Sequence, residues 1–294
     1  MDRQERADKV DERAHRGISR RRVMRRWLLR ISLLLLAAYT LLVFCLHPSN
    51  QRDWNADQAQ LATAEIHGDH VLVHNVRNTR YRAVDDFDVH WEERRYDLAR
   101  LNSVWFVVEP FADWRGPAHT FLSFGFADGQ YLAISVEIRK ERGESFSPWL
   151  GVLRQYELMY VIGDERDLIG LRANHRKDDV FLYPVRSTPV RMRALFVSML
   201  ERANTMAAQP EFYNTLTNTC TSNIVDHIDD IAPGRVPFSL TTLLPGYTDD
   251  FAYDLGLIDT ELPRDRYRNA FRINERAARA ADAGDFSEAI RARD

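Results

Sequence analysis

The stretch Tyr213–Cys220 (YNTLTNTC), continued by TSNIVDHI, sets one cysteine at the start of an amphipathic run. That spacing reads as the first turn of a helix, where unpaired backbone N–H groups and the macrodipole favour a thiolate. Cys220 is therefore a candidate nucleophile. The competing reading is a small buried core thiol.

A second stretch supplies a partner. In AHTFLSFGF-ADG-QYLAISVEIRK two strands are joined by a tight loop, and the loop length decides which side chains share a face. A two-residue Asp128-Gly129 turn would set His119 with Ile134, Val136 and Ile138. A three-residue loop, Ala127-Asp128-Gly129 with Gly129 left-handed, segregates the faces cleanly. One face then carries Thr120, Leu122, Phe124 and Phe126 with Leu132, Ile134, Val136 and Ile138. The other carries His119, Phe121 and Ser123 with Ala133, Ser135 and Glu137. The three-residue loop is chosen, because a half-buried sheet needs such segregation. His119 then sits across from Glu137 and near Ser135, a grouping that can orient a general base. A cross-strand surface ion pair is the alternative. His227, seven residues after Cys220, shares its helical face but lies about 10 Å along the axis, too far for a direct hydrogen bond.

Other chemistries lack their residues. His67, His70 and His74 have no second cysteine or carboxylate at a ligand spacing, and neither a glycine-rich phosphate loop nor a G-x-S-x-G elbow occurs. No metal and no cofactor is expected.

The elements that must position these residues begin with a membrane segment. Residues 1–30 hold eleven Lys/Arg against five Asp/Glu, and residues 31–46 (ISLLLLAAYTLLVFCL) carry no charge. With Trp27 to Leu29 the apolar span reaches about twenty residues, enough for one crossing. Arg20, Arg21, Arg22, Arg25 and Arg26 precede it, so the positive-inside rule makes the N-terminus cytoplasmic and sets everything after His47 outside. No small-x-small cleavage site follows, so an uncleaved anchor is expected. With the +6 of the first 46 residues removed from a total of −3, the exported part carries about −9; no nucleic-acid partner is expected. Cys220 is the exported part's single cysteine, and an unpaired thiol in an oxidising compartment should be buried, reactive or intermolecularly paired.

Further along, residues 64–81 read as a hairpin about His67-Gly68-Asp69, and 87–96, 103–109, 156–163 and 180–184 read as strands. Residues 190–207 form a helix with Thr188 as cap and Pro189 in the first turn. The cysteine helix ends near Pro233-Gly234. The tail from Arg264 reads as a solvated helix or a partly disordered segment. The organisation expected is a cytoplasmic segment (1–26), an anchor (27–46), a linker with N-terminal strands (47–90), a main domain (91–262) and a charged tail (263–294).

Taken together, GPAHTFLSFGF, ISVEIRKERGESFSPWLGVLRQYELMYVIGDERDLIGLR and EFYNTLTNTCTSNI resemble the N-terminal periplasmic domain of the Lnb-type lipoprotein N-acyltransferases, over roughly Trp91 to Asp259. The resemblance implies an α+β fold: a permuted papain-like, NlpC/P60-related domain whose mainly antiparallel sheet packs against the Cys-bearing helix. It matches the family histidine to His119, the S-x-E element to Ser135 and Glu137, the Tyr-Asn pair to Tyr213 and Asn214, and the cysteine to Cys220. Where the family often has Asn directly before the cysteine, this chain has Thr219, with Asn218 one residue further back. Lnb enzymes carry further membrane helices after this domain, so a membrane protein partner that supplies them is left open.

The expectation is a membrane-anchored, cysteine-dependent acyltransferase acting on lipid-linked or lipoprotein substrates. Cys220 would attack, His119 would take its proton, Glu137 or Ser135 would orient the imidazole, and Tyr213, Asn214 and Asn218 would serve substrate or oxyanion. A cell-wall cysteine peptidase or amidase and a non-catalytic anchored binding domain remain the alternatives.

Overall fold

The structure is a computed structural model and describes residues 3–237, 239 and 243–292. It falls into two units, 1–47 and 48–294. The first is one helix, α1 (Arg3–Cys45), of which Val23–Cys45 is long and apolar enough to cross a membrane.

The second unit is built on an eight-stranded sheet. Its strands are β1 (Thr63–His67), β2 (His70–Arg77), β5 (Trp91–Asp97), β6 (Leu101–Pro110), β7 (Ala118–Phe126), β8 (Tyr131–Arg139), β9 (Glu157–Gly163) and β10 (Phe181–Pro184). They run in the order β1-β2-β9-β8-β7-β6-β10, with β5 also on β2. Every pairing is antiparallel except the single β2–β9 contact at Arg77 and Gly163. Two short strands, β3 (Arg80–Tyr81) and β4 (Phe87–Asp88), pair apart from it. This is the mainly antiparallel α+β arrangement that the motifs imply.

The register of the β7–β8 hairpin is the one chosen from the alternation. Leu122 pairs with Ile134 and Gly125 with Tyr131, leaving residues 127–129 as the loop, with Gly129 at φ +82°. A side chain there would be strained, which is why glycine ends the turn. The first hairpin likewise turns at Gly68-Asp69.

Helices cover both faces of the sheet. One face, with Leu122, Phe124, Leu132, Ile134 and Val136, packs against α4 (Pro189–Ala208) and α5 (Cys220–Ile231). Phe196, Met199, Leu200, Ala203 and Met206 form the buried stripe of α4, whose Thr188 cap accepts from Arg191 N. The other face, with Val107, Phe121, Ala133, Met159 and Val161, packs against α3 (Glu165–Gly170) and its π-helical continuation Leu171–Arg176. The run at 168–171 is thus helical, held by its Asp164 cap, which accepts from Arg166 N.

The tail corrects the expectation of a solvated segment. It folds as α7 (Arg264–Ala270), α8 (Asn274–Arg279) and α9 (Phe286–Ala289). Tyr267, Phe271, Ile273, Ala277, Phe286 and Ile290 are buried against the sheet domain; short helices with sparse apolar residues leave a pattern that the surrounding Arg, Ala and Asp conceal. The helices α2 (Pro148–Val152) and α6 (Thr248–Asp254) complete the unit.

Charges buried under α3 are paired. Arg77 (2% exposed) holds Asp167 (0% exposed) by two bonds of 2.9 Å, and Thr79 N donates to the same carboxylate at 2.7 Å. Removing one partner strands the other in low dielectric. Asp167→Ala should cost about 3–5 kcal/mol, read as a fall in melting temperature of the full chain in detergent, whereas Asp86→Ala, at the exposed Arg82 pair, should leave it unchanged.

Candidate functional site

Cys220 is the first residue of α5, as its flanking pattern predicts. Thr219 caps the helix in a capping box: Ser222 N donates to Thr219 Oγ1 at 3.1 Å and Thr219 N to Ser222 Oγ at 2.8 Å. That leaves the N–H groups of Cys220 and Thr221 without a partner among the described residues. Such orphan donors at a helix start can receive a developing oxyanion.

The turn before the helix is organised by the two asparagines. Asn214 Oδ1 accepts from Leu216 N (2.9 Å) and Thr217 N (3.2 Å). Asn218 donates to Phe212 O at 3.0 Å and accepts from Asn223 Nδ2 at 2.8 Å. Both asparagines thus shape the turn that presents the thiol. Tyr213 is fixed through its N–H to Tyr156 O, 2.9 Å, and its ring is buried beside Cys220. Burial, and after it the nearby cysteine, push the Tyr213 hydroxyl far above its ordinary pKa, so it stays a donor.

The other predicted residues meet each other. His119 Nε2 lies 2.6 Å from Ser135 Oγ and 3.8 Å from Glu137 Oε1, and Ser135 Oγ donates to Glu137 at 2.9 Å. Arg172, from the π-helical turn, donates to Glu137 (2.9 Å) and Glu109 (2.5 Å), and its guanidinium sits over the Phe121 ring. Burial pushes His119 down to about 3, and the Arg172 and Arg176 charges add to this against Glu137. Burial, the largest single influence, opposes ionisation of Glu137, but Arg172, together with His119, Arg77 and the Ser135 hydroxyl, holds the carboxyl well below its usual range.

The structure does not bring this group to the cysteine. On β7, His119 alternates with Thr120; its ring stacks on Phe121, which belongs to the core under α3. Thr120 faces the other way, and its hydroxyl meets Thr221 Oγ1 at 3.0 Å, one residue from Cys220, which belongs to the core under α5. The sheet stands between imidazole and thiol, and among the described residues no hydrogen bond or ion pair joins them. Cys220 Sγ instead lies 3.8 Å from Thr221 Oγ1. His227, the alternative partner, is spent elsewhere, with Tyr160 at 2.8 Å and Ser198 at 2.7 Å.

Two features escaped the sequence. Arg172, at the centre of the His119 group, lacked any local signal, because its partners come from β6 and β8. The second is an apolar rim beside the thiol. Phe146, Trp149, Leu150, Leu153 and Leu216 are exposed, Trp149 at 80%. The short helix α2 carries much of this rim against the cysteine turn: Thr215 donates to Pro148 O at 2.7 Å, and a Cβ on Gly151 would stand 3.3 Å from the Tyr213 ring.

In comparisons with known proteins, the family model described as Lnb N-terminal periplasmic domain matches residues 87–246, more than half of the chain, including every candidate residue above. No curated protein and no solved structure matches.

Two outcomes follow from the geometry. With the sheet between them, His119→Ala should leave the pH profile of Cys220 alkylation where it is in the wild type; a direct imidazole–thiolate pair would move it by a pH unit or more, about the 1.4 kcal/mol per unit of an ordinary interaction. The second concerns stability. His227, pushed down to about 4 by burial, and His119 stay neutral in the fold, while an unfolded histidine binds a proton below about pH 6.5. Their contribution is complete above that pH and is lost as the pH falls from about 6.5, toward 4 for His227 and toward 3 for His119. His119→Gln should flatten this fall in a melting series from neutral to acid.

Proposed function

Because the chain belongs to the Lnb N-terminal periplasmic domain family, we propose that it is a membrane-anchored acyltransferase that carries an acyl group on Cys220. What supports this reading above all is the cysteine's setting: a free, nearly buried thiol at the first position of α5, beside two orphan N–H groups. The exposed apolar rim favours lipid-linked over cell-wall peptide substrates, since such patches on a soluble surface mark interaction sites.

The steps balance without a further reagent. The sulfur attacks an ester carbonyl of a lipid; the S–C bond forms as the C–O bond breaks, and the thiol proton ends on the leaving oxygen. The N–H groups of Cys220 and Thr221 hold the oxyanion, each donor worth about 3 kcal/mol, and Tyr213 adds its hydroxyl. An amine, as at the N-terminus of a lipoprotein, then attacks the thioester; the C–N bond forms as the C–S bond breaks, and its proton returns to sulfur. Asn214 and Asn218 hold the turn. We assign His119, Ser135 and Glu137 as positioning residues, which fix β7 and β8 beneath Thr120. The orientation we propose is N-terminus cytoplasmic and domain periplasmic, at the inner membrane, on the strength of the arginines before the span.

Full-length protein in phospholipid vesicles should gain the mass of a fatty acyl group on Cys220, and Cys220→Ala should lower acyl transfer by about 10³-fold or more. A thiol that stays unacylated in lipid, with peptidoglycan peptides released by the wild type and spared by Cys220→Ala, would assign the peptidase reading instead.

A further inference from the structure

An apolar cleft runs along α5 from Thr221, the residue that follows the thiol. One wall is the helix itself, with Thr221, Ile224, Ile228 and Ile231, residues three or four apart and so on one face. Phe106 and Leu122 of the sheet form the second wall, and Phe251 and Leu255 at α6 the third. Thr221 to Ile231 spans about 15 Å of helix axis. Ile228 and Ile231 remain half-buried although the domain has covered the rest of that face, so the cleft is a gap in the packing of the described residues.

Polar residues are a minority of its lining. Thr120 and Thr221 meet next to Cys220, Arg191 and Arg235 come from α4 and from beyond the C-terminus of α5, and Arg186, Ser187 and Thr248 are the others. The rest of the lining is aliphatic and aromatic. A peptide laid there would bury most of its amides with too few groups to pair them, at a cost of several kcal/mol. A docked helix would not enter a half-open cleft of about 150 Å³, whereas apolar space of that size takes apolar guests. An alkyl chain meets each condition, being narrow, elongated and without polar atoms, and the methylene stems of the arginines extend the apolar wall at the mouth.

We propose that this cleft is the acyl-chain site: the acyl group on Cys220 places its carbonyl beside Thr221 and runs its chain along Ile224, Ile228 and Ile231 toward Arg191 and Arg235. The proposal rests on the acyltransferase reading for its occupant. It adds that chain length is read by the distance along α5, so Ile228 and Phe251 are specificity-determining.

The test uses full-length protein in phosphatidylethanolamine–phosphatidylglycerol vesicles containing a phospholipid whose acyl chain ends in a photoactivatable diazirine. After irradiation, digestion and mass spectrometry, crosslinks should fall on α5 and on β6–β7, in the wild type and in Cys220→Ser alike. Crosslinks confined to Val23–Cys45 or to the Trp149 rim overturn the cleft. Crosslinks in the cleft with no adduct on wild-type Cys220 sustain the cleft and sink the acyltransferase reading; an adduct without cleft crosslinks does the reverse. Ile228→Trp, which fills the gap, should lower the ratio of long-chain to acetyl transfer by about tenfold. An unchanged ratio in a variant with the wild-type melting temperature overturns the chain-length assignment.

Discussion

A strand can offer each side chain to one face of its sheet only, and the three-residue turn at Gly129 fixes that choice for β7 and β8 together. A slip of one residue would carry His119 and Glu137 into the aliphatic core under α5, and Leu122 and Ile134 into the charged layer under α3. Burying the Glu137 charge away from Arg172 would cost several kcal/mol. The separation of the molecule into a dry side and a polar side follows from this register. On the polar side, Arg172 lies between Glu109 and Glu137, Arg77 faces Asp167, and Glu165 takes Arg291 and the Ser123 hydroxyl. Each of these buried charges has a bonded counter-charge, the condition under which such groups are tolerated at all.

The thiol depends on the dry side and on the turn before it. Phe212 bridges to Glu157 and Tyr213 to Tyr156, so the start of β9 sets where the cysteine turn begins. Glu157 in turn accepts from Ser49 N and pairs with Arg52, which ties the beginning of the domain to the same point. The asparagine turn and the capping box then deliver Cys220 to the first position of α5. Two long-range backbone contacts and two local devices together place one sulfur.

The elements legible in the sequence are those governed by local rules. The left-handed Gly129 loop, the Gly68 turn, the Thr188 cap and the helix start at Cys220 each follow from residues within a few positions, and the charge-free run at 31–46 needs no tertiary information. What sequence could not supply was which face of the sheet each helix covers. Alternation along β7 says that His119 and Thr120 point oppositely; it says nothing of whether α5 lies on the histidine side or the threonine side, because that is decided by long-range packing. The same limit hid Arg172, whose carboxylates come from two other elements, and the tail, whose buried residues are isolated among charged ones.

Burial of Cys220 at 6% exposure bears on the choice between transfer and hydrolysis. A thioester at this sulfur would be an activated acyl group, and water is its most abundant competitor. A site whose nearest polar neighbours are threonine hydroxyls and backbone N–H groups, with an apolar rim outside and an apolar cleft along α5, holds little water, and exclusion of water is how enzymes protect reactive intermediates. The same dryness strengthens the orphan N–H dipoles acting on an oxyanion. An acceptor that arrives from the lipid surface, carried on its own acyl chains, reaches such a site by partition into apolar surroundings, whereas a soluble peptide would have to shed its hydration to enter. On the acyl-transfer reading proposed above, the same burial would therefore favour passing an acyl group to a lipid-borne acceptor over losing it to water.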